Sequence, residues 1–368
     1  MKPAFKAEQV GSFLRPQAVK DARAALAAGK GTAAQLRAAE DAAILDSLKH
    51  QKASGVDVFS DGEFRRNGFQ HDFIDSVEGY QATDTPLRRI WKGPGGQPDA
   101  EANQVVVAKR LHQIRRLTAD QTTFLKQHSP GPFKMTVPSP NQFPALGYLP
   151  GLTDKFYPTR EDLLAHITQI IRDEVTTLAD EGVTYIQVDA PRYSYFVDSE
   201  WREYLRSMGQ DPDALLTGAV AADRTVFDGA RREGITTAFH VCRGNNQSKW
   251  YAQGGYEPIA EELFNGLHVD RLLLEYDTER SGTFEPLRHV PEGMVVVLGL
   301  ISTKTGELES RDEVLRRIDE AARFVPIERL ALSPQCGFAS MPAGNMLSEE
   351  QQWRKLELVV DVARQVWG

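Results

Sequence analysis

The chain has 368 residues, 41% of them hydrophobic and 26% charged, with a net charge of −8. This is the balance of a globular protein without the basic surplus of a nucleic-acid-binding surface, so nucleic acid is not an expected partner. Met1–Glu8 contains no apolar signal core and no run approaches membrane-spanning length. Two cysteines are too few for a disulfide scaffold, and a cytoplasmic protein with no membrane partner is expected.

Short β-rich runs alternate with longer amphipathic ones along the whole chain. The β-rich runs are Ala7–Ser12, Val56–Asp61, Phe133–Pro138, Thr184–Asp189, Thr237–Cys242, Arg271–Glu275, Met294–Leu300 and Leu330–Cys336. Helical patterns fall at Ala33–Lys52, Arg160–Asp180, Asp213–Glu233, Ser310–Phe324 and Glu349–Val366. Eight strands alternating with helices predict an α/β fold, a single (β/α)8 TIM barrel over residues 1–368. Residues 79–132 do not fit a bare barrel. They hold a Gly/Pro cluster, Gly93–Pro98, between Leu87–Trp91 and Gln104–Lys109, which reads as a β-hairpin excursion inserted between the second and third strands. No dinucleotide or Walker spacing follows a strand, so these glycines make a turn and not a phosphate cradle.

In a barrel enzyme, chemistry comes from the carboxyl ends of the strands and the loops after them. Here those ends carry Gly11 and Ser12; Asp61 and Glu63; Asp189; His240 and Cys242; Glu275; Ser302 and Lys304; and Cys336. Taken singly, each has an ordinary reading as a loop polar group, a helix cap or a buried thiol. Asp277, Thr278, Ser281 and Ser310 are read as turn or capping residues. His240 and Cys242 are different, because residues i and i+2 of a strand share one face. Glu275 ends an apolar strand, where an unpaired carboxylate is costly. Together with Cys336 these residues offer N, S, O and S, a donor set suited to tetrahedral Zn²⁺.

Zn²⁺ held by two thiolates and a carboxylate carries a net negative formal charge, which makes it a poor activator of water. It suits the task of holding an incoming thiol, with a free pKa of about 8.5, as a thiolate. The carboxylate of Glu275 is the ligand such a sulfur would displace. Alkyl transfer to sulfur is therefore the expected chemistry.

At this point the chain resembles the short, single-barrel members of the cobalamin-independent methionine synthase family. The resemblance rests on Val10–Pro16, Ser60–Asn67, Gln187–Pro191, His240-Val241-Cys242, Leu274–Asp277 and Ser333–Gly337, and spans nearly the whole chain. It implies that His240, Cys242, Glu275 and Cys336 bind zinc. It implies also that Gly11, Ser12, Glu63 and Asp189 hold the amino-acid end of a small thiol such as homocysteine. Two departures concern the methyl-donor half of the site. The family stacks its folate on a tryptophan after the third strand, where this chain has Pro138–Phe143, with Phe143 as the substitute. It places a proton-shuttling histidine after the seventh strand, where Ser302-Thr303-Lys304 stands. His71 and Ser302 are the candidates for that catalytic role.

Three readings stay open on the sequence. One is a zinc-dependent methyltransferase acting on homocysteine, its donor a methyl-folate, a methylcobalamin protein or a small methylated compound. The second is alkylation of coenzyme M by an epoxide, a carbon–sulfur lyase type of reaction with Arg192, Arg243 and Lys304 on the sulfonate. The third is a structural or storage zinc site with no enzymatic role.

Overall fold

The computed structural model describes residues 5–83, 91–93, 105–143 and 147–368. Its framework is a six-stranded parallel sheet in which sequence neighbours pair, in the order β3 (Lys134–Pro138), β4 (Tyr185–Asp189), β5 (Thr236–Val241), β6 (Arg271–Glu275), β7 (Val295–Ile301) and β8 (Leu330–Pro334). Every residue of β3, β4, β5, β6 and β8 is buried, as expected of parallel strands covered on both faces. The register places Asp189 beside His240 and Glu275 beside Gly299, so these strands finish at one end of the sheet.

The first two expected strands, Ala7–Ser12 and Val56–Asp61, are not regular strands. They run beside the sheet through isolated parallel bridges, Ala7 to Leu332 and Phe59 to Phe133, and meet each other at Ser12 and Gly62. The reason is local. Side chains take over backbone donors that a ladder would use: Ala7 N–H donates to Asp57 Oδ2 (2.8 Å), Ser60 N–H to Gln51 Oε1 (2.9 Å) and Glu63 N–H to Asp61 Oδ1 (2.9 Å). An inner cluster that includes Val58, Tyr185, Ala238, Leu273, Val297 and Ala331 joins side chains from the second segment and from β4 through β8.

Helices cover the sheet. Three of them begin with reciprocal capping boxes: Thr32 with Gln35 before Ala33–Ser54, Thr159 with Asp162 before Arg160–Asp180, and Ser348 with Gln351 before Glu349–Trp367. The helix expected over 213–233 runs Pro212–Val226, and that expected over 310–324 runs Arg311–Ala321. No described helix is long and apolar enough to cross a membrane.

The excursion contains an antiparallel pair, β1 (Val77–Ala82) with β2 (Val105–Gln113). Of the expected tip, only Gly93 is described, and Pro94–Pro98 lie outside the described residues, as do residues 87–90 of the flanking run. Lys92 bridges antiparallel to Trp250, with Trp250 N–H donating to Lys92 O at 3.0 Å. That bridge ties the excursion to the loop after β5.

Candidate metal centre and substrate pocket

His240 lies in β5, Cys242 directly after it and Cys336 two residues past β8. One ligand atom from each can be chosen so that all three lie within 4.8 Å of one another, and all three residues are buried. The imidazole is oriented by its other nitrogen: Nδ1 lies 3.1 Å from the Leu273 carbonyl oxygen, to which it can only donate. In the neutral imidazole this leaves the lone pair on Nε2, a buried atom without another hydrogen-bond partner besides the facing Cys336, whose nearness raises the His240 pKa. The hydrogen bond from Cys242 pulls the Cys336 thiol well below its ordinary range, aided by His240 and Lys304, while the same bond and burial push Cys242 up. One negative charge is thus already favoured within the pair. A buried lone pair aimed at two converging sulfurs is the arrangement that a soft divalent cation such as Zn²⁺ fits.

The fourth expected ligand, Glu275, is not part of this group. Its Oε1 accepts from Arg280 Nη2 (2.6 Å) and Nε (3.1 Å), and its Oε2 accepts the Arg243 N–H (2.9 Å). Burial would raise its pKa, but Arg280, Arg243 and Lys304 together hold it at about 2. The partner demanded by a buried carboxylate is therefore a guanidinium.

Beside the His–Cys–Cys group opens a pocket with about 570 Å³ of atom-free space, part of it continuous with solvent. Ser12, Glu63 and Asp189 line it together with His240, Cys242 and Cys336. Glu63 adopts a left-handed backbone (φ 58°), a strained choice for a non-glycine residue. Its Oε1 accepts from Thr136 Oγ1 at 3.1 Å, whereas Oε2 is buried without a partner. A Cβ on Gly11 would come within 2.8 Å of Glu63 Oε1, so glycine at 11 keeps room for this carboxylate. Likewise a Cβ on Gly337 would meet Ser12 Oγ at 2.0 Å, which accounts for the glycine that follows Cys336. Burial raises the carboxyl pKa of Glu63, and raises that of Asp189 to about 7 against the pull of His240.

The two relay candidates are elsewhere. His71 starts a four-residue helix and packs by Gly68; burial lowers its pKa, and it does not line the pocket. Ser302 donates its N–H to Glu309 at 2.8 Å and is also absent from the lining. The Phe143 ring lies tilted against Phe73, centroids 4.4 Å apart, in the core, while its neighbour Gln142 reaches the pocket. The cations proposed for a sulfonate are engaged behind the wall: Lys304 Nζ donates to Gly244 O and Asn245 Oδ1, Arg243 donates to Gly254 O, and Arg192 stacks on Tyr195.

Trp91, Tyr251 and Asn245 are among the lining residues that escaped the sequence reading. Asn245 was the accessible one, because it follows Cys242 in a polar turn. It donates to Gly337 O (2.6 Å) and accepts from Asn345 Nδ2 (2.9 Å), which also donates to Thr303 O (2.8 Å). This network links the loops after β5, β7 and β8 and holds the turn that carries Cys336.

The family model "Cobalamin-independent synthase, Catalytic domain" matches residues 5–91 and 152–365. The chain belongs to this family. Within the cobalamin-independent synthases it is 40% identical to the uncharacterized protein YxjH of Bacillus subtilis, over all of this chain and 96% of the relative. It is 23% identical to the methionine synthase of Pyrococcus abyssi, over 89% of this chain and 82% of that one. The 5-methyltetrahydropteroyltriglutamate–homocysteine methyltransferase of Bacillus velezensis is 24% identical across 99% of this chain but only 43% of its own, much greater length. A solved structure from Listeria monocytogenes, described as a candidate vitamin-B12 independent methionine synthase, superposes with a TM-score of 0.73 at 28% identity, covering 100% of this chain and 99% of that one. The family match omits residues 92–151, which hold most of the excursion.

Proposed function

We propose that this protein is a zinc-dependent thiol S-methyltransferase that converts homocysteine to methionine. The observation that carries this reading is the single pocket that joins His240, Cys242 and Cys336 to two buried carboxylates, Glu63 and Asp189. His240, Cys242 and Cys336 would hold the metal, with Glu275 a reserve ligand that must first leave Arg280. When bound, zinc supplies the positive charge that keeps a substrate thiol ionised near neutral pH. The protein's own groups do the positioning. Glu63 Oε2, buried without a partner, and Asp189 receive the substrate ammonium, and that charge drives both carboxyls to their ionised form. Ser12 and the main chain beside Gly11 face the substrate carboxylate. Because these anchors and the two cysteines line one pocket, it suits a small amino-acid thiol.

We also read the bridged segments 7–12 and 56–62 as completing a closed (β/α)8 barrel, one unit over 1–368 with 79–132 inserted. Bridges from Ala7 to β8 and from Phe59 to the start of β3 support closure. The coenzyme M reading loses support because Arg192, Arg243 and Lys304 do not reach the pocket.

The test is to load the protein with zinc, add homocysteine, and follow proton release. About one proton per site is expected near neutral pH. Cys336→Ala should lower bound zinc from about one equivalent to almost none and abolish proton release and methionine formation with any donor. Full thiol chemistry in the metal-free variant would overturn the proposal.

A further inference from the structure

Lys304 carries only donors, so the Asn245 atom that lies 3.1 Å from its buried Nζ is the amide oxygen. Asn345 Nδ2, at 2.9 Å from the same oxygen, agrees with that orientation. The other end of the Asn245 amide is therefore Nδ2, which can only donate. It donates to two acceptors, Gly337 O at 2.6 Å and Ser340 Oγ at 3.3 Å. Ser340 thus keeps its own hydroxyl proton to give. The Cys336 sulfur lies 3.6 Å from Ser340 Oγ, a hydrogen-bonding separation for so large an atom. A thiolate at 336 has no proton, which fixes the direction of this bond: the serine donates and the sulfur accepts. Phe69 N–H, donating to Ser340 O at 3.1 Å, holds the serine from the other side of the pocket that Ser340 helps to line.

Cys242 has a counterpart to this arrangement. The Gly244 N–H lies against its sulfur and favours the thiolate. Lys304 stands behind both donors, because its Nζ also donates to Gly244 O at 3.0 Å. Each protein sulfur therefore has a donor supplied by the chain just after it, and one buried ammonium polarises both. A hydrogen bond holds the lone pair that a thiolate would otherwise use in a displacement, so it lowers the sulfur's reactivity. This matters in a site that alkylates sulfur. A metal held by two cysteines and joined by a substrate thiol gathers three sulfurs, and only one of them should react.

We propose that Ser340 sets this selectivity: its hydroxyl, polarised through Asn245 by Lys304, restrains the Cys336 sulfur so that the substrate thiolate takes the alkyl group. The inference rests on the thiol-alkylation reading of the pocket. In the step that Ser340 suppresses, the Cys336 thiolate attacks the donor's methyl carbon and an S–CH₃ bond forms. The bond from that carbon to the donor atom breaks, and its electron pair leaves with the donor. The product is a neutral thioether in place of a thiolate, and the centre loses a charged ligand.

The experiment exposes the zinc-loaded full chain, without homocysteine, to iodoacetamide. The attacking sulfur displaces iodide from the methylene carbon, and peptide mass mapping gives separate rates for Cys336 and Cys242. Ser340→Val and Ser340→Thr have nearly equal volume, and only the second keeps the hydroxyl. Ser340→Val should speed modification of Cys336 by about three- to tenfold, the rate equivalent of one net hydrogen bond, and leave Cys242 unchanged. Ser340→Thr should stay near the parent. In the Co²⁺-loaded proteins, the thiolate-to-cobalt charge-transfer band should move to lower energy in Ser340→Val and keep its position in Ser340→Thr. If Ser340→Val has an altered circular dichroism spectrum, Ser340→Ala takes its place. Equal Cys336 rates in the valine and threonine variants overturn the proposal, as does equal acceleration of both cysteines, which would mark a loosened fold. A parent without any thiolate-to-cobalt band overturns the metal reading and this inference together, whereas an unshifted band in Ser340→Val overturns the inference alone. Proton release on adding homocysteine, measured alongside, reports only on the acceptor reading.

Discussion

Buried charge occurs at both ends of the parallel sheet, and the two ends treat it in opposite ways. Where the strands begin, Glu8 is wholly buried and wholly paired. Its Oε2 accepts from Lys134 Nζ (3.1 Å) and the Tyr185 hydroxyl (2.7 Å), and its Oε1 from Arg271 Nε (2.8 Å). Where the strands end, Glu63 Oε2 is equally buried and has no partner, and His240 Nε2 faces only the Cys336 thiol. An unpartnered buried polar group costs stability, typically about 1–3 kcal/mol. With Glu8 fully paired at one end and Glu63 Oε2 and His240 Nε2 left open at the other, the second end is the one reserved for something outside the chain. The difference locates the site without reference to any relative.

The first way to break this comparison is at the paired end. Glu8→Gln strands Lys134 and Arg271 in the interior, and loss of one member of a buried ion group costs about 3–5 kcal/mol. The fall should be read from the denaturant midpoint, with zinc stoichiometry unchanged. The pH dependence has a definite sign. Burial alone would raise the Glu8 pKa, but Arg271 and Lys134 bring it below the ordinary carboxylate value. Its stabilisation is therefore complete above the unfolded pKa of about 4.3 and lost as pH falls through the lower folded value. Glu8→Gln should flatten this acid limb. A variant as stable as the parent at pH 7 would show that the pairing at this end is not structural.

At the open end the expectation reverses. Glu63→Gln removes a carboxylate whose pKa burial has raised, so stability should hold or rise slightly while substrate binding suffers. A charge-assisted hydrogen bond to an ammonium is worth about 1.5–3 kcal/mol, which predicts a rise of about 10- to 100-fold in the homocysteine concentration needed for half-maximal proton release. Large destabilisation with unaltered thiol binding would place Glu63 among the structural charges and erase the contrast.

The two ends were also unequally legible in the amino-acid sequence. His240, Cys242 and Cys336 could be read because strand periodicity and donor chemistry are both local properties. Glu275 was legible as a buried carboxylate in need of a cation, but the choice between a metal and Arg280 depends on a turn that brings a side chain back five residues later. The strands expected at 7–12 and 56–61 failed for a related reason, since Asp57, Gln51 and Asp61 capture the backbone donors. Trp91 had no local signal at all. Only the pairing of Lys92 with Trp250, 158 positions further along the numbering (250 − 92), carries it to the pocket.

The smallest expected effect concerns how the open end stays in shape while its polar groups wait for ligands. The answer lies in neutral amides behind it. Asn345 donates to Asn245 and to the Thr303 carbonyl, and Asn245 donates to the carbonyl of Gly337, the residue after Cys336. These bonds touch neither of the expected substrates, yet they fix the turn that aims one sulfur. Outer groups that orient metal ligands typically change affinity by about 10- to 100-fold when removed. Asn345→Ala should therefore weaken zinc binding toward the lower part of that range, about tenfold, in a chelator competition. Thermal stability of the metal-free protein should fall by only about 1 kcal/mol, the worth of one buried hydrogen bond. Equal losses in metal-free stability and in zinc affinity would mean that the network merely holds the fold. A loss confined to zinc affinity would mean that the loops after β5, β7 and β8 are held in register for the sake of Cys336.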